Sequence, residues 1–253
     1  KYVVHSLERG LEILELLAER PQEWGLSEIA RALEFSPANT RKLLLSLKST
    51  NYVMQNPENS KYQATLKLFR MGSALMQRFD FCSEARPLMK KLSSQTNTVV
   101  CLVVQDGDEA YCIEHAEGST LVPIIFLRRG EHLPMHIGAA AQLLLAFLPE
   151  EEKNRILSTS SLNAWTPSSV TDITKLNAKL KEFREQKYSI DRDGVTMGIS
   201  AVAMPIYDWS GRVMATISIA GLSQDFMDEA IPAKLEALKE TTTQLSTRTG
   251  HFS

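Results

Sequence analysis

The sequence predicts a two-domain chain: an N-terminal winged helix-turn-helix, a linker helix, and a C-terminal α+β domain built on an antiparallel sheet. Three observations carry that reading. Helical periodicities over residues 6–49 lead into two short β-capable runs around a Pro/Asn/Ser turn. A narrow apolar stripe then runs through residues 65–80. Beyond it, strand-like runs stand on either side of a helical block, which fits an antiparallel layer better than a parallel doubly wound sheet. The expected segments are 1–64, 65–80 and 81–253 of the 253 residues.

Leu7, Leu11, Leu14, Leu17 and Ala18 recur at helical spacing with glutamates opposite, so residues 6–19 read as an amphipathic helix. Pro21 and Gly25 break it. Ser27 is a candidate N-cap for a short helix with apolar positions Ile29, Ala30 and Leu33. Ser36 can cap the next helix, and Pro37 suits its first position, where no amide donor is needed. Leu43, Leu44 and Leu47 give that helix a buried stripe. Two such helices across a short turn form a unit that places its second helix in the DNA major groove, N-terminal residues at the base edges. Asn39 and Arg41 match adenine and guanine edges, while Thr40 and Lys42 suit edges or phosphates. The expected wing is Tyr52–Gln55 and Lys61–Ala64 around Asn56–Ser60. The candidate DNA-facing residues are Ser36, Pro37, Ala38, Asn39, Thr40, Arg41, Lys42, Lys48, Asn59, Ser60 and Lys61.

Charge placement agrees. The total is −2, which by itself favours no polyanionic partner. From Ser36 to Phe79, however, seven bases face one acid, Glu58, a local balance of +6. The acids gather before Phe35 and in the second domain.

The segments Ser6–Leu14, Leu26–Ala30, Thr40–Leu44 and Tyr62–Leu66 resemble the IclR family of bacterial transcription regulators. One departure is Glu34, which stands where the family usually has Gly; a positive φ there would cost about 1 kcal/mol. In the linker, Leu68, Met71, Leu75 and Phe79 form a seam that would pack on its own domain or pair with a second subunit. The resemblance implies the second, with dimers that often form dimers of dimers.

In the second domain, Ser83–Gln95 reads as a helix with Pro87 in its first turn. Thr98–Gln105 and Ala110–Glu117 read as a hairpin about Asp106-Gly-Asp108, and Leu121–Leu127 as a further strand. Ala139–Leu148, Glu150–Leu157 and Asp172–Tyr188 read as helices. Ile199–Tyr207 and Arg212–Ala220 read as strands, and a final helix spans roughly 225–247. In the last strand Val213, Ala215, Ile217 and Ile219 share a core face; Met214, Thr216, Ser218 and Ala220 share a smaller, weakly polar one, facing either a packed helix or a small-molecule pocket. The resemblance continues across nearly the whole chain and implies a GAF- or profilin-like sensor domain. Carried over by position, it nominates Gly138, Ala139, Ala140, Asp191, Ile199, Ala201, Ser218 and Ala220 as effector-binding. The family's usual Glu at Gly194, Gly-Lys at Ala141-Gln142 and frequent Ser at Ala220 are missing, which favours a partly apolar or aromatic effector over a small hydrophilic keto acid; the expected partner is a small organic effector, an organic acid or an aromatic.

Other functions find little support. Three cysteines without a CxxC pair argue against a disulfide scaffold and for a cytoplasmic setting. The longest apolar stretch, Ala139–Leu148, is too short for a bilayer, and the N-terminus lacks a signal peptide's apolar core. The five histidines show no metal spacing, and His136 is expected to shape its loop by a hydrogen bond. Neither a P-loop, a dinucleotide fingerprint nor a nucleophile elbow occurs, so no cofactor is expected. The expected function is a ligand-responsive regulator, most simply a repressor of a catabolic operon, that binds double-stranded operator DNA. The alternative is a metabolite-binding enzyme or carrier whose winged helix mediates protein contacts.

Overall fold

A computed structural model describes residues 3–19, 22–76, 81–117 and 127–251, with backbone alone for 73–76. The chain divides into two compact units, Lys1–Asp80 and Phe81–Ser253.

The first unit runs α1 (His5–Glu19), α2 (Leu26–Ala32), α3 (Pro37–Ser49), β1 (Val53–Gln55), β2 (Tyr62–Ala64) and α4 (Leu66–Met76). Its core joins Ile13, Leu14 and Leu17 of α1 with Ile29, Leu43, Leu44, Val53, Tyr62 and Trp24. The buried stripe of α1 is therefore set back from the predicted one: Leu7 and Leu11 are exposed. The wing pairs Val53 with Ala64 and Gln55 with Tyr62, and Trp24 adds a third, one-residue rung through hydrogen bonds with Tyr62.

Helix boundaries follow local chemistry. Ser36 accepts from the Asn39 amide with Pro37 at the first position, as expected. Ser27 does not cap α2; Gly25 takes that place and donates its amide to Glu28 Oε2 at 2.7 Å. After α2 the chain turns through Glu34 at φ 56°, with the Phe35 amide reaching the Ala30 carbonyl at 2.8 Å. After α3 it repeats the turn through Asn51 at φ 59°, with the Tyr52 amide on the Leu47 carbonyl. Both are left-handed helix stops that favour Gly, then Asn. Glu34 is the strained occupant.

The second unit begins with α5 (Phe81–Thr96), longer at its start than expected, so that Pro87 is interior and removes one intrahelical donor. A six-stranded antiparallel sheet follows in the order β5-β4-β3-β8-β7-β6. Its strands are β3 (Val99–Asp106), β4 (Glu109–Ala116), β5 (His132–Pro134), β6 (Ser189–Arg192), β7 (Ile199–Tyr207) and β8 (Val213–Leu222). The strand expected at Leu121–Leu127 lies outside the described residues except for Leu127, which is buried. Between β5 and β6 come α6 (Ala139–Phe147), α7 (Glu150–Thr159) and α8 (Ile173–Gln186). Their apolar residues share one core with Val99, Cys101, Val103, Ala201, Ala203 and Ala220 of the sheet. The final helix begins later than expected: a 3-10 turn, Ser223–Phe226, precedes α9 (Ile231–Arg248). All three cysteines are buried free thiols.

A register shift between Ile206 and Tyr207 corrects one face assignment. Ile206 pairs with Ala215 but Tyr207 pairs with Val213, skipping Met214. The bulge turns Val213 to the α6 side, where it packs on that core, while Ala215, Ile217 and Ile219 keep the other face.

Replacing Glu34 with Gly should relieve its left-handed strain, offset in part by the freer unfolded chain, for a net gain of about 0.5–1 kcal/mol. Chemical denaturation of the full chain should show the N-terminal transition at higher denaturant. An unmoved midpoint would mean the turn holds Glu34 without strain.

Candidate functional site

Two sets of residues merit attention, one in each unit. On the first unit, α3 opens with Pro37, Ala38, Arg41 and Lys42 exposed and Asn39 half-buried. Thr40 does not belong with them. Its side chain is fully buried and its hydroxyl donates to the Ser36 carbonyl at 3.1 Å, so it braces the helix start. Ser36 spends its hydroxyl on the cap.

The far end of α3 is tied to the wing. Lys48 Nζ donates to Gln55 Oε1 at 3.2 Å, and Gln55 Nε2 donates to the Ser60 carbonyl at 3.1 Å. Ser60 is exposed at φ 59° on the wing tip. Asn59 is engaged rather than free to reach outward: its Oδ1 accepts the Lys61 amide and its Nδ2 donates to Glu23 at 2.6 Å. Lys61 is half-buried with Nζ 3.9 Å from Glu28 Oε2. Sequence reasoning missed Glu23, whose partners Asn56 and Asn59 lie 33 and 36 residues away and carry no local signal.

In the second unit the sheet register gathers most of the nominated effector residues on the face under α6. Asp191, Ala201, Ala220 and Val99 form one row across β6, β7, β8 and β3. Ser189, Ala203, Ser218 and Cys101 form the next. Ile199 lies one step further out, half-buried. The helix is held down by two hydroxyls: Ser189 donates to the Ala139 carbonyl at 2.7 Å and Thr216 to that of Ala140 at 3.3 Å.

The start of α6 has an unusual chemistry. Gly138 precedes it at φ 81°, and a Cβ there would stand 2.9 Å from Val195 Cγ2. No side chain caps the helix, although Ala139, Ala140 and Ala141 are buried. Nearby, Ser218 Oγ, Gln142 Oε1 and His136 Nδ1 are buried with no hydrogen-bond partner among the described residues. His136 behaves as expected, its Nε2–H donating to the Asn163 carbonyl at 3.1 Å. Gln142 Nε2 donates to the His136 carbonyl at 2.7 Å.

Asp191 is buried, and desolvation raises its carboxyl pKa against the pull of Lys179 and of the Gly194 and Val195 amides. Its Oδ2 accepts the Gly194 amide at 3.1 Å. A Cβ at position 194 would collide with this carboxylate. The absence of the Glu expected there therefore leaves the space into which Asp191 folds. The loop is fixed from outside, by Thr166 Oγ1 on the Asp193 carbonyl at 2.6 Å and Ser169 Oγ on that of Gly194 at 2.7 Å. Among the described residues no His/Cys/Asp/Glu group could hold a metal, and no helix is long and apolar enough to cross a membrane.

These two sites coincide with two family descriptions. Residues 6–57 match the IclR helix-turn-helix domain, and residues 73–247 match the bacterial transcriptional regulator IclR C-terminal domain. The chain is 31% identical over 249 residues to the HTH-type transcriptional regulator XynR of Escherichia coli K12, covering 98% of each. It is 30% identical over 245 residues to the HTH-type transcriptional repressor AllR of the same strain, covering 97% of this chain and 90% of AllR. Among solved structures, Thermotoga maritima IclR superposes with a TM-score of 0.78 at 28% identity, covering 98% of this chain and 99% of that one.

Burial lowers the pKa of His136 below its ordinary value of 6.5, since a proton on Nδ1 would sit in a desolvated site. The unfolded chain then takes up that proton first, so this contribution to stability is present above pH 6.5 and declines as pH falls through the folded pKa. Nitrogen NMR of the ring should show His136 still neutral at a pH where exposed histidines are charged. A His136 that titrates with them would overturn the assignment.

Proposed function

Because the chain belongs to the IclR family of bacterial transcriptional regulators, we propose that its α3 reads duplex operator DNA through Asn39, Arg41 and Lys42 and that a small organic acid binds at the N-terminal end of α6. The chain is an HTH-type transcriptional regulator rather than an enzyme. As a repressor of a catabolic operon it would act in the cytoplasm, where its DNA is.

The observation that carries the effector reading is the buried, uncapped N-terminus of α6 on the same sheet face as the unpartnered Ser218 hydroxyl. Helix N-termini favour anions through their free amides and dipole. A buried hydroxyl without a partner costs about 1–3 kcal/mol, which a ligand oxygen would recover. The side chains around these groups are otherwise alanines and aliphatics, which would suit an apolar or aromatic body behind the carboxylate. Effector binding would then change operator affinity through a coupling of roughly 1–3 kcal/mol.

Self-association is the remaining part of the proposal. The seam expected from Leu68 and Met71 is half-buried at Leu68 and exposed at Met71, whose sulfur accepts from the Tyr52 hydroxyl at 3.2 Å, while exposed Leu66 and Phe69 form a separate face on the other side of α4; Leu75 and Phe79 lie outside the described side chains. Leu7 and Leu11 on α1 are exposed as well. Apolar helix faces of this kind are the usual material of dimers. Phe69→Glu should shift sedimentation toward monomer at concentrations where the parent chain is dimeric. An unchanged mass would sink this face as the interface.

The function itself is tested in two steps. Arg41→Ala should lose about 1–3 kcal/mol of discrimination for a duplex selected by the parent chain, with non-specific binding little changed. A thermal-shift screen of aliphatic and aromatic organic acids should give stabilising hits, since a ligand selective for the native state raises the melting temperature. Ser218→Ala and Asp191→Ala should each reduce a specific hit; full retention in both would place the effector elsewhere.

A further inference from the structure

We propose that Glu23 is a positioning residue for DNA binding: its carboxylate clamps the wing loop by holding the side-chain amides of Asn56 and Asn59 together. The inference goes beyond the contacts assigned above and rests on the reading that the wing meets DNA.

The geometry fixes the direction of every bond in the clamp. Asn56 Oδ1 accepts the Glu58 amide at 2.9 Å, and Asn59 Oδ1 accepts the Lys61 amide at 2.9 Å. Each carboxamide must therefore point its NH2 group away from its own loop. Both NH2 groups then meet Glu23, Asn56 Nδ2 on Oε1 at 2.8 Å and Asn59 Nδ2 on Oε2 at 2.6 Å. One carboxylate, an acceptor at both oxygens, closes two turns at once. Those bonds hold the Glu23 carboxyl below its usual pKa, Asn59 having the larger effect.

Glu23 can reach because its neighbour Trp24 is hydrogen-bonded to Tyr62 in both directions, at 2.9 and 2.8 Å. The loop's other side is held by Gln55 on the Ser60 carbonyl and by the Asn56 amide on the Lys61 carbonyl at 2.8 Å. Ser60 is thus suspended at φ 59° between two anchors, and Glu23 supplies one of them. Without it, the two Asn turns lose their common acceptor and the tip that carries Ser60 and Lys61 loosens.

Simple electrostatics and the clamp predict opposite signs. Removing an acid near DNA should strengthen binding, whereas releasing the wing should weaken it. Glu23→Gln sets an NH2 group against one of the Asn NH2 groups. The clamp predicts roughly fivefold weaker binding to a duplex selected by the parent chain, and a salt slope shallower by about one phosphate contact. Binding unchanged or strengthened would overturn it.

A second variant separates charge from geometry. Glu23→Gln with Asn59→Asp restores the parent's net charge and reverses the pairing, so that Gln donates to Asp. The clamp predicts that this double variant binds more tightly than Glu23→Gln alone, although it is the more acidic. A weaker double variant would overturn the proposal even if either single variant folded poorly. Amide hydrogen exchange at Glu58 and Lys61 reports on the loop without DNA. Exchange unchanged in Glu23→Gln would refute the clamp; faster exchange with full DNA affinity would refute the wing's part in binding.

Discussion

Close approach between α6 and the sheet is the constraint on which the second unit depends. The contact is made of small groups: Ala139, Ala140 and Ala141 on the helix, Ala201, Ala203, Ala220 and Ser218 on the strands. Short side chains let two backbones come near enough for Ser189 and Thr216 to reach helix carbonyls directly. Those bonds set the helix height. The height in turn brings Gly138 against Val195 and closes the start of α6 away from solvent. A larger residue in either row would lift the helix and disturb the polar atoms beside it, at the roughly 1–3 kcal/mol typical of overpacked cores.

Local rules made much of this readable in advance. The Ser36 cap with Pro37 behind it, the two strands of the wing, and Ile199–Tyr207 follow from capping, turn and periodicity chemistry. What escaped was set by tertiary partners. Leu7 and Leu11 have the right spacing for a core stripe, but α1 meets its unit one turn later, through Ile13 and Leu17. Thr40 has the chemistry of a DNA contact but is turned inward to brace the Ser36 carbonyl. Met214 falls in a bulge, which no alternating pattern can announce. The short strands β5 and β6 exist because longer neighbours pair with them, and their own three or four residues carry no pattern of their own.

The candidate site was legible in a different way. Positional resemblance picked out residues that the register then placed in two adjacent rows, although it could not show how Asp191 is used. That carboxylate turns onto its own loop because residue 194 has no side chain. A departure from the family pattern at one position thus alters the chemistry offered by another. On the first unit, the +6 balance singles out Ser36–Phe79 but gives no sign of Glu23. Glu23 lies outside that segment, and its role depends on which way two amides face.

The ends of the sheet carry one more consequence. Among the described residues, β5 has three residues and β6 four, so each border strand itself presents only a short row of outward amides and carbonyls. Strand-on-strand stacking between copies, the common route from sheet proteins to fibres, finds little template on these two strands. The association proposed above would then rest on helix surfaces, whose contacts can be released and remade. For a DNA-binding regulator, short border strands act as insurance against permanent clumping.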